Sequence, residues 1–178
     1  ITDADSVDTT YTTDVRRCTI KRAGRSKSGT ALVRMSNEDG RFTADINTDD
    51  VIQIYADTNN PPTTRRFAGY VIKKKVDMAG WRQNELVLEC WDYKAVLNNV
   101  LVTESYVSKE ISIIQTDIVS NYLATYGYGT GNIATTTTTV DDVRFSYKPL
   151  GEVMDQLCLI AEEGGYLWYV DDSKVINT

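Results

Sequence analysis

Residues 66–93 read RFAGYVIKKKVDMAGWRQNELVLECWDY, a pattern that predicts a β-hairpin because apolar and polar side chains alternate along both arms. On the first arm we expect one buried face, interrupted by Lys74 and formed by Ala68, Tyr70, Ile72, Val76 and Met78. The second arm has an apolar face as well, formed by Leu86, Leu88 and Cys90. Ala79-Gly80 supplies the tight turn between them. The segment therefore predicts a sheet with one buried and one solvated face.

Three more strand candidates precede the hairpin, and a turn signal follows two of them. The candidates are residues 12–22, 30–36 and 51–56. Gly40 suits the turn after the second, and Pro61-Pro62 ends the third because proline cannot donate a ladder hydrogen bond. Short antiparallel strands without a convincing helix favour a small antiparallel β-barrel or a β-sandwich over a parallel sheet.

The texture of the sequence changes after Tyr93, where helical periodicity appears. Ser112 to Gln115 has the S-x-x-Q form of a capping box, so we expect a helix to start there, with Gly127 at its end. Its predicted apolar stripe consists of Ile114, Ile118, Val119, Tyr122, Leu123 and Tyr126. A second helix should follow Pro149, with an inner face formed by Val153, Leu157, Ile160 and Ala161. The dense β-formers at 166–170 and the turn at 171–174 predict a final hairpin.

The predicted fold class is therefore α+β and mainly β. Residues 1–98 form a first small antiparallel β-barrel, and residues 99–164 form a connecting region that contains the helices. Residues 165–178 open a further hairpin that the chain does not complete, so we expect the chain to be part of a longer protein.

The residue types argue against an enzyme. The chain contains no histidine, which removes the usual general base and the commonest zinc ligand. Its three cysteines, Cys18, Cys90 and Cys158, are far apart without a CxxC spacing, so we interpret them as buried free thiols rather than a metal or redox site. Acidic doublets such as Asp171-Asp172 lack the spacing of a calcium loop and fit turns. We therefore expect no catalytic residues, no cofactor and no bound metal.

The net charge of -6 is unevenly distributed along the chain. Residues 1–100 carry 15 Lys and Arg against 14 Asp and Glu, which gives +1, whereas residues 101–178 carry 4 against 11, which gives -7. Such asymmetry fits differently solvated faces, a surface that repels nucleic acid, or a surface that meets a basic partner.

The outward face of the hairpin carries the candidate interface residues. Val87 and Trp91 lie opposite the predicted core face, and Trp81 shares their strand face. Apolar side chains there indicate either a second layer in the same chain or a subunit interface. Lys73-Lys74-Lys75 forms a basic run, for which pairing with Glu85 and Glu89 across the hairpin is a simpler interpretation than nucleic-acid binding.

Four motifs in this order carry a resemblance to a known family. They are Asn37-Glu38-Asp39-Gly40-Arg41-Phe42 before 50–54, then 66–71, 86–93 and, after the second helix, 164–170. Together they span most of the chain. The sequence resembles the tail-hub proteins of tailed phages, a family that includes contractile-phage baseplate hubs, late control gene D proteins and related spike-carrying proteins of type VI secretion.

The resemblance implies a structural protein of the virion, made in the host cytoplasm and located at a tail tip or baseplate. It implies that residues 165–178 begin a second barrel-like β domain, which is cut short here. It also implies a homotrimer whose barrels form a ring, which joins a tail tube or distal tail protein above to a central spike or fibre below. DNA would pass through the ring without specific binding, and this segment would not insert into a membrane. On this interpretation the acidic residues Asp49, Asp50, Asp141 and Asp142 face the lumen and repel DNA.

A different class of function stays open at this point. A carbohydrate- or receptor-binding module of a tail tip or cell-surface protein would use exposed Trp81, Trp91 and Tyr128 to stack on sugar rings. The two interpretations make different demands on Trp91. In a hub its substitution should impair assembly, and in a binding module it should impair ligand affinity.

Overall fold

The computed structural model describes residues 11, 13–21, 28–56, 64–78, 84–161 and 167–178. Among them the chain divides into two compact units, which we call unit 1, up to Asp92, and unit 2, from Tyr93 onward. Trp81 and the predicted Ala79-Gly80 turn lie outside the described residues, as does the side chain of Met78. The division into domains 1–98, 99–164 and 165–178 stays a prediction of the sequence.

Unit 1 is a curled, five-stranded antiparallel sheet, which confirms a mainly β fold. Its strands are β1 (Val15–Lys21), β2 (Thr30–Ser36), β3 (Val51–Tyr55), β4 (Arg65–Met78) and β5 (Asn84–Asp92). Their order in the sheet is β1-β2-β5-β4-β3, so β1 and β3 are edge strands of a half-barrel. A 3₁₀ turn at Glu38–Gly40 and the short helix α1 (Arg41–Asp45) connect β2 to β3. Gly40 adopts the left-handed conformation predicted for it, with φ +70°.

The core of unit 1 corrects the predicted phase of the first hairpin arm. Phe67 and Val71 are buried in it, whereas Ile72 is 39% exposed. The reason is a β-bulge: Val71 pairs with Cys90 and Lys73 with Glu89, so Ile72 is an extra residue on β4. The bulge reverses the alternation, because one inserted residue exchanges the two faces of the strand. Only beyond the bulge do the residues of the predicted buried face of β4 lie on the same side of the sheet as the buried Leu86 and Leu88 of β5.

Lys74, which interrupts the apolar pattern in the sequence, has a partner in the structure. It pairs with Leu88 across the sheet, on the core side of the strand. Its ammonium group donates hydrogen bonds to the carbonyl oxygens of Thr43 at 2.7 Å and Ile46 at 2.6 Å. These carbonyls belong to the carboxyl end of α1, where backbone oxygens lack helical partners and a cation is favourable. Lys74 therefore fastens α1 to the sheet.

Hydrogen bonds also hold the end of the hairpin at Trp91 and Asp92. The carboxylate of Asp92 accepts a hydrogen bond from the backbone N–H of Gly29 at 2.5 Å, and the N–H of Asp92 donates to the carbonyl of Gly29 at 3.0 Å. The acidic residue thus ties the end of β5 to the beginning of β2.

Unit 2 contains a two-stranded antiparallel ribbon, a small mixed sheet and two principal helices. Its elements are α2 (Tyr93–Val96), β6 (Leu101–Glu110), α3 (Ile111–Leu123), β7 (Gly129–Thr130), β8 (Thr139–Pro149), α4 (Leu150–Ala161), β9 (Tyr169–Val170) and β10 (Val175–Asn177). Strand β6 pairs with β8, and β10 lies between β7 and β9. The predicted last hairpin is confirmed, because β9 and β10 are antiparallel and Asp171 accepts the N–H groups of Ser173 and Val175 in the turn.

The two long helices confirm most of the predicted apolar stripes and correct the predicted start of α3. Helix α3 begins at Ile111, with Glu110 as its N-cap, so Ser112 lies inside the helix and forms no capping box. The side chain of Gln115 is buried and donates to the sulfur of Cys158 on α4 at 3.3 Å. Gly127 ends the helical segment at φ +74°, as predicted.

Besides Ile72, four residues predicted to be buried are exposed instead. Val76, which was expected on the buried face of the hairpin, is 37% exposed. Tyr126 and Ile160, expected on inner helix faces, are exposed at the ends of their helical segments. Cys18 lies on the edge strand β1 and is exposed, whereas Cys90 and Cys158 are buried as expected. An edge strand has a neighbour on one side only, which leaves its side chains less covered.

Candidate assembly surface

The outward face of β5 presents Trp91 to solvent. Because Leu86, Leu88 and Cys90 face the core, the alternation of the strand turns Glu89 and Trp91 outward. Trp91 is 45% exposed and lies in register between Thr30 on β2 and Tyr70 on β4. A half-exposed tryptophan on the open face of a sheet is typical of a surface that contacts another molecule.

A groove of about 470 Å³ runs over this face of unit 1, from β1 across β2 to β5. We call it the β1–β2–β5 groove. Side chains that line it include Arg17, Lys21, Leu32, Arg34, Glu89 and Trp91. The sequence pattern gives no sign of this groove, because the groove depends on a register that joins Arg17 to Arg34 and Lys21 to Thr30.

The groove carries positive charge that the described residues compensate only in part. Arg34 is paired with Glu85 at 2.7 Å, and Glu89 lies 3.8 Å from the ammonium group of Lys73. Arg17 and Lys21 are exposed and form no ion pair with any residue that the structure describes. The groove therefore combines apolar side chains, Leu32 and Trp91, with two cations at its β1 side that form no ion pair with a described residue.

The other two predicted interface residues differ from Trp91. Val87 faces outward in register between Arg34 and Lys75, yet it is only 7% exposed. Its small exposed area offers little surface to another molecule, so Trp91 is the residue on which the interface hypothesis depends. Trp81 lies outside the described residues.

The basic run of the hairpin is divided between surface pairs and a structural contact. Lys73 faces Glu89 across the sheet, as predicted, and Lys75 lies 2.5 Å from Asp77 on its own strand. Exposed pairs of this kind contribute little to stability. Since Lys74 binds α1, the three lysines do not form one continuous patch.

The structure places the candidate lumen residues of unit 1 in unlike environments. Asp50 is only 7% exposed, and its carboxylate accepts the N–H of Asn47 at 2.7 Å, as in a turn. Asp49 is exposed, with φ +74°, and its N–H donates to the carbonyl of Val71 at 2.7 Å. Asp49 can therefore contribute to the electrostatic potential at the protein surface, whereas Asp50 stabilises the turn before β3.

In unit 2, Asp141 and Asp142 are both exposed on β8. Asp142 is opposite Val107 in register and lies 3.4 Å from Arg144. The two pairs of candidate lumen residues lie in different compact units.

Tyr128 does not fit the sugar-stacking role expected of it. Its ring is buried in unit 2, and its hydroxyl group donates to the carbonyl of Tyr93 at 2.8 Å. Of the three aromatic residues proposed for carbohydrate binding, Trp91 is the one that the structure describes as exposed.

The described residues contain no group of three or more Cys, Asp or Glu side chains positioned to hold a metal ion. Burial raises the pKa of the Cys90 thiol to about 12 and that of Cys158 to about 11, which keeps both in the unreactive thiol form. Among the described helices, none combines the length and the apolar character that crossing a bilayer requires.

Comparison with solved structures identifies the fold. The 43 kDa tail protein of prophage MuSo2 from Shewanella oneidensis superposes with a TM-score of 0.63 at 17% identity, over 90% of this chain and 49% of that one. The E. coli c3393 protein, a component of the type VI secretion system with structural similarity to the T4 bacteriophage tail proteins gp27 and gp5, superposes with a TM-score of 0.56 at 10% identity. That match covers 80% of this chain and 42% of c3393.

The chain therefore has the fold of these phage-tail and type VI secretion proteins, as the sequence resemblance predicted. It spans less than half the length of each of the two. No protein-family model and no curated protein matches its sequence.

Proposed function

We propose that this chain is a structural component of a phage tail, located at the tail tip or baseplate. In this role it forms part of a homotrimeric ring that joins the tail tube, or a distal tail protein, to the central spike or fibre. The ring holds neighbouring proteins in place and performs no catalysis.

The observation that carries the proposal is the superposition of 90% of the chain on a prophage tail protein. The match includes both compact units, since the part of the chain left over is too small to hold either one. The exposed Trp91 and the groove beside it support the proposal independently, because a ring component needs outward surfaces that contact other subunits.

We further propose that exposed carboxylates at Asp49, Asp141 and Asp142 face the lumen of the ring. Their charges repel the phosphate backbone and keep the channel from binding DNA as it passes. Asp50 is left out of this set because its carboxylate is buried in a turn. A density map of the ring with these three carboxylates on its outer wall would contradict this part of the proposal.

The assembly itself is tested by light scattering coupled to size-exclusion chromatography, with negative-stain electron microscopy of the same fractions. We expect a mass of three chains and ring-shaped particles. A strictly monomeric mass at the highest soluble concentration would overturn the proposal. Added DNA should pass through the column separately from the rings, and co-elution at physiological salt would contradict passage without binding.

A further inference from the structure

We propose that the β1–β2–β5 groove docks an acidic surface within residues 101–178 of a second copy of this chain. This inference rests on the proposed function as an assembly component, and it assigns the surface and the partner through which the copies meet. The contact runs head to tail, from unit 1 of one copy to unit 2 of the next.

The composition of the groove suits a protein partner. Trp91 and Leu32 offer apolar area on an open sheet face, and Arg17 and Lys21 stand beside them. Tryptophan and arginine are enriched among the residues that dominate binding energy at protein interfaces, where they pack at the centre and exclude water. Lys21 and Arg17 are free to pair with the partner because neither has an ion pair with a described residue of its own chain.

Charge complementarity selects the acidic half of a second copy as the occupant. Residues 101–178 carry 11 Asp and Glu against 4 Lys and Arg, a net charge of -7, which is still -5 without the proposed lumen residues Asp141 and Asp142. Arg17 and Lys21 of the groove form no ion pair with a described residue. A symmetric contact between two grooves would instead bring Arg17 and Lys21 of both copies together, and like charges placed face to face disfavour association.

The opposite charges of the two surfaces are also compatible with a head-to-tail assembly. Because the cationic and acidic surfaces belong to different parts of one chain, every copy has one of each to offer. When such contacts repeat head to tail they are heterologous, and they close into a ring when the rotation between successive copies allows it, whereas a reciprocal two-fold pair of the same surfaces would stop at a dimer. On this proposal the uneven charge of the chain attracts the groove of one copy to the acidic surface of the next.

Cross-linking from within the groove tests the partner directly. Leu32 is replaced by the photoreactive amino acid p-benzoylphenylalanine in the whole chain, and isotopically light and heavy copies are mixed before irradiation. We expect mass spectrometry to find peptides that join residue 32 of one copy to a peptide from residues 101–178 of another. Oligomers whose cross-links from residue 32 fall only in residues 1–100, or only within one copy, would overturn the inference.

Charge reversal tests the same contact without the cross-linker. The double variant R17E/K21E should weaken self-association at least about tenfold, and the association of the unaltered chain should weaken as salt rises. The double variant R66E/K75E is the matched control, because it changes the net charge by the same amount and both residues are exposed cations of unit 1 outside the groove lining. Equal loss of association in R17E/K21E and in the control would refute the docking role.

Relative to the unaltered chain, the single substitution Trp91→Ala should weaken self-association by about 30-fold, because the partner covers the exposed part of the indole ring. The outcomes separate the two proposals. A chain that is monomeric by light scattering overturns both, whereas an oligomer insensitive to R17E/K21E and to Trp91→Ala overturns only the assignment of the groove.

Discussion

Lys74 offers the sharpest test of the fold, because the sequence presents it as one of three equivalent lysines. In the structure it alone of the three reaches α1, where it donates to the carbonyls of Thr43 and Ile46. The substitution Lys74→Met keeps the aliphatic stem that shares a face with Leu88 and removes the ammonium group. The two carbonyl oxygens then lose their charged donor.

The expected loss of stability follows from the two hydrogen bonds that Lys74 donates. A hydrogen bond from a charged donor contributes about 1.5–3 kcal/mol, and two such bonds set an upper range of about 3–6 kcal/mol. The site is only partly buried, so water can replace the donor at part of the cost. We therefore expect Lys74→Met to lower the free energy of opening of unit 1 by about 2 kcal/mol, which is about a 30-fold faster exchange.

Native-state hydrogen exchange of the β2 and β5 amides measures this loss in unit 1 alone, which separates it from the unfolding of unit 2. Lys75→Met is the matched control, because Lys75 is exposed and contacts only Asp77 among the ion pairs of the described residues. We expect the control to change the free energy by less than about 0.5 kcal/mol. Equal effects of the two substitutions would refute the role assigned to Lys74.

Two further predictions concern the close packing of unit 1. Gly69→Ala should destabilise unit 1 by at least about 2 kcal/mol in urea unfolding, because the added Cβ would overlap the backbone of Trp91. Gly129→Ala, in unit 2, is the control. A Cβ added there has no neighbouring atom within contact distance, so the substitution should change stability by less than about 1 kcal/mol. The buried Cys90 should make stability fall as pH rises from about 9 towards 12, since its thiol ionises in the unfolded chain first. Cys90→Ala should flatten this slope in pH-dependent unfolding, and an unchanged slope would contradict the assignment.

The sequence predicted those features that depend on neighbours along the chain. The helical stripe around Ile114 and Ile118, the left-handed end at Gly127 and the last hairpin were all predicted, because each follows from a local period or a local turn requirement. The alternation of β5 was also sufficient to place Trp91 on the outer face.

The features that the sequence missed depend on residues far apart. The bulge at Ile72 follows from how β4 fits between β3 and β5, so a regular alternation could not reveal it. The capping box predicted at Ser112 does not form, because Ile111 is completely buried and α3 begins there, one residue before Ser112. Burial of apolar area outweighs the contribution of one side-chain cap.

The sequence by itself determined the mainly β first half, the helices that follow it, the absence of histidine chemistry and the uneven charge. Only the tertiary structure decided which lysine is structural, which aspartates are exposed, and that Arg17, Lys21, Leu32 and Trp91 line one groove. The physical reason is that alternation and charge are properties of a strand or a chain segment. A groove exists only when the register brings β1, β2 and β5 side by side.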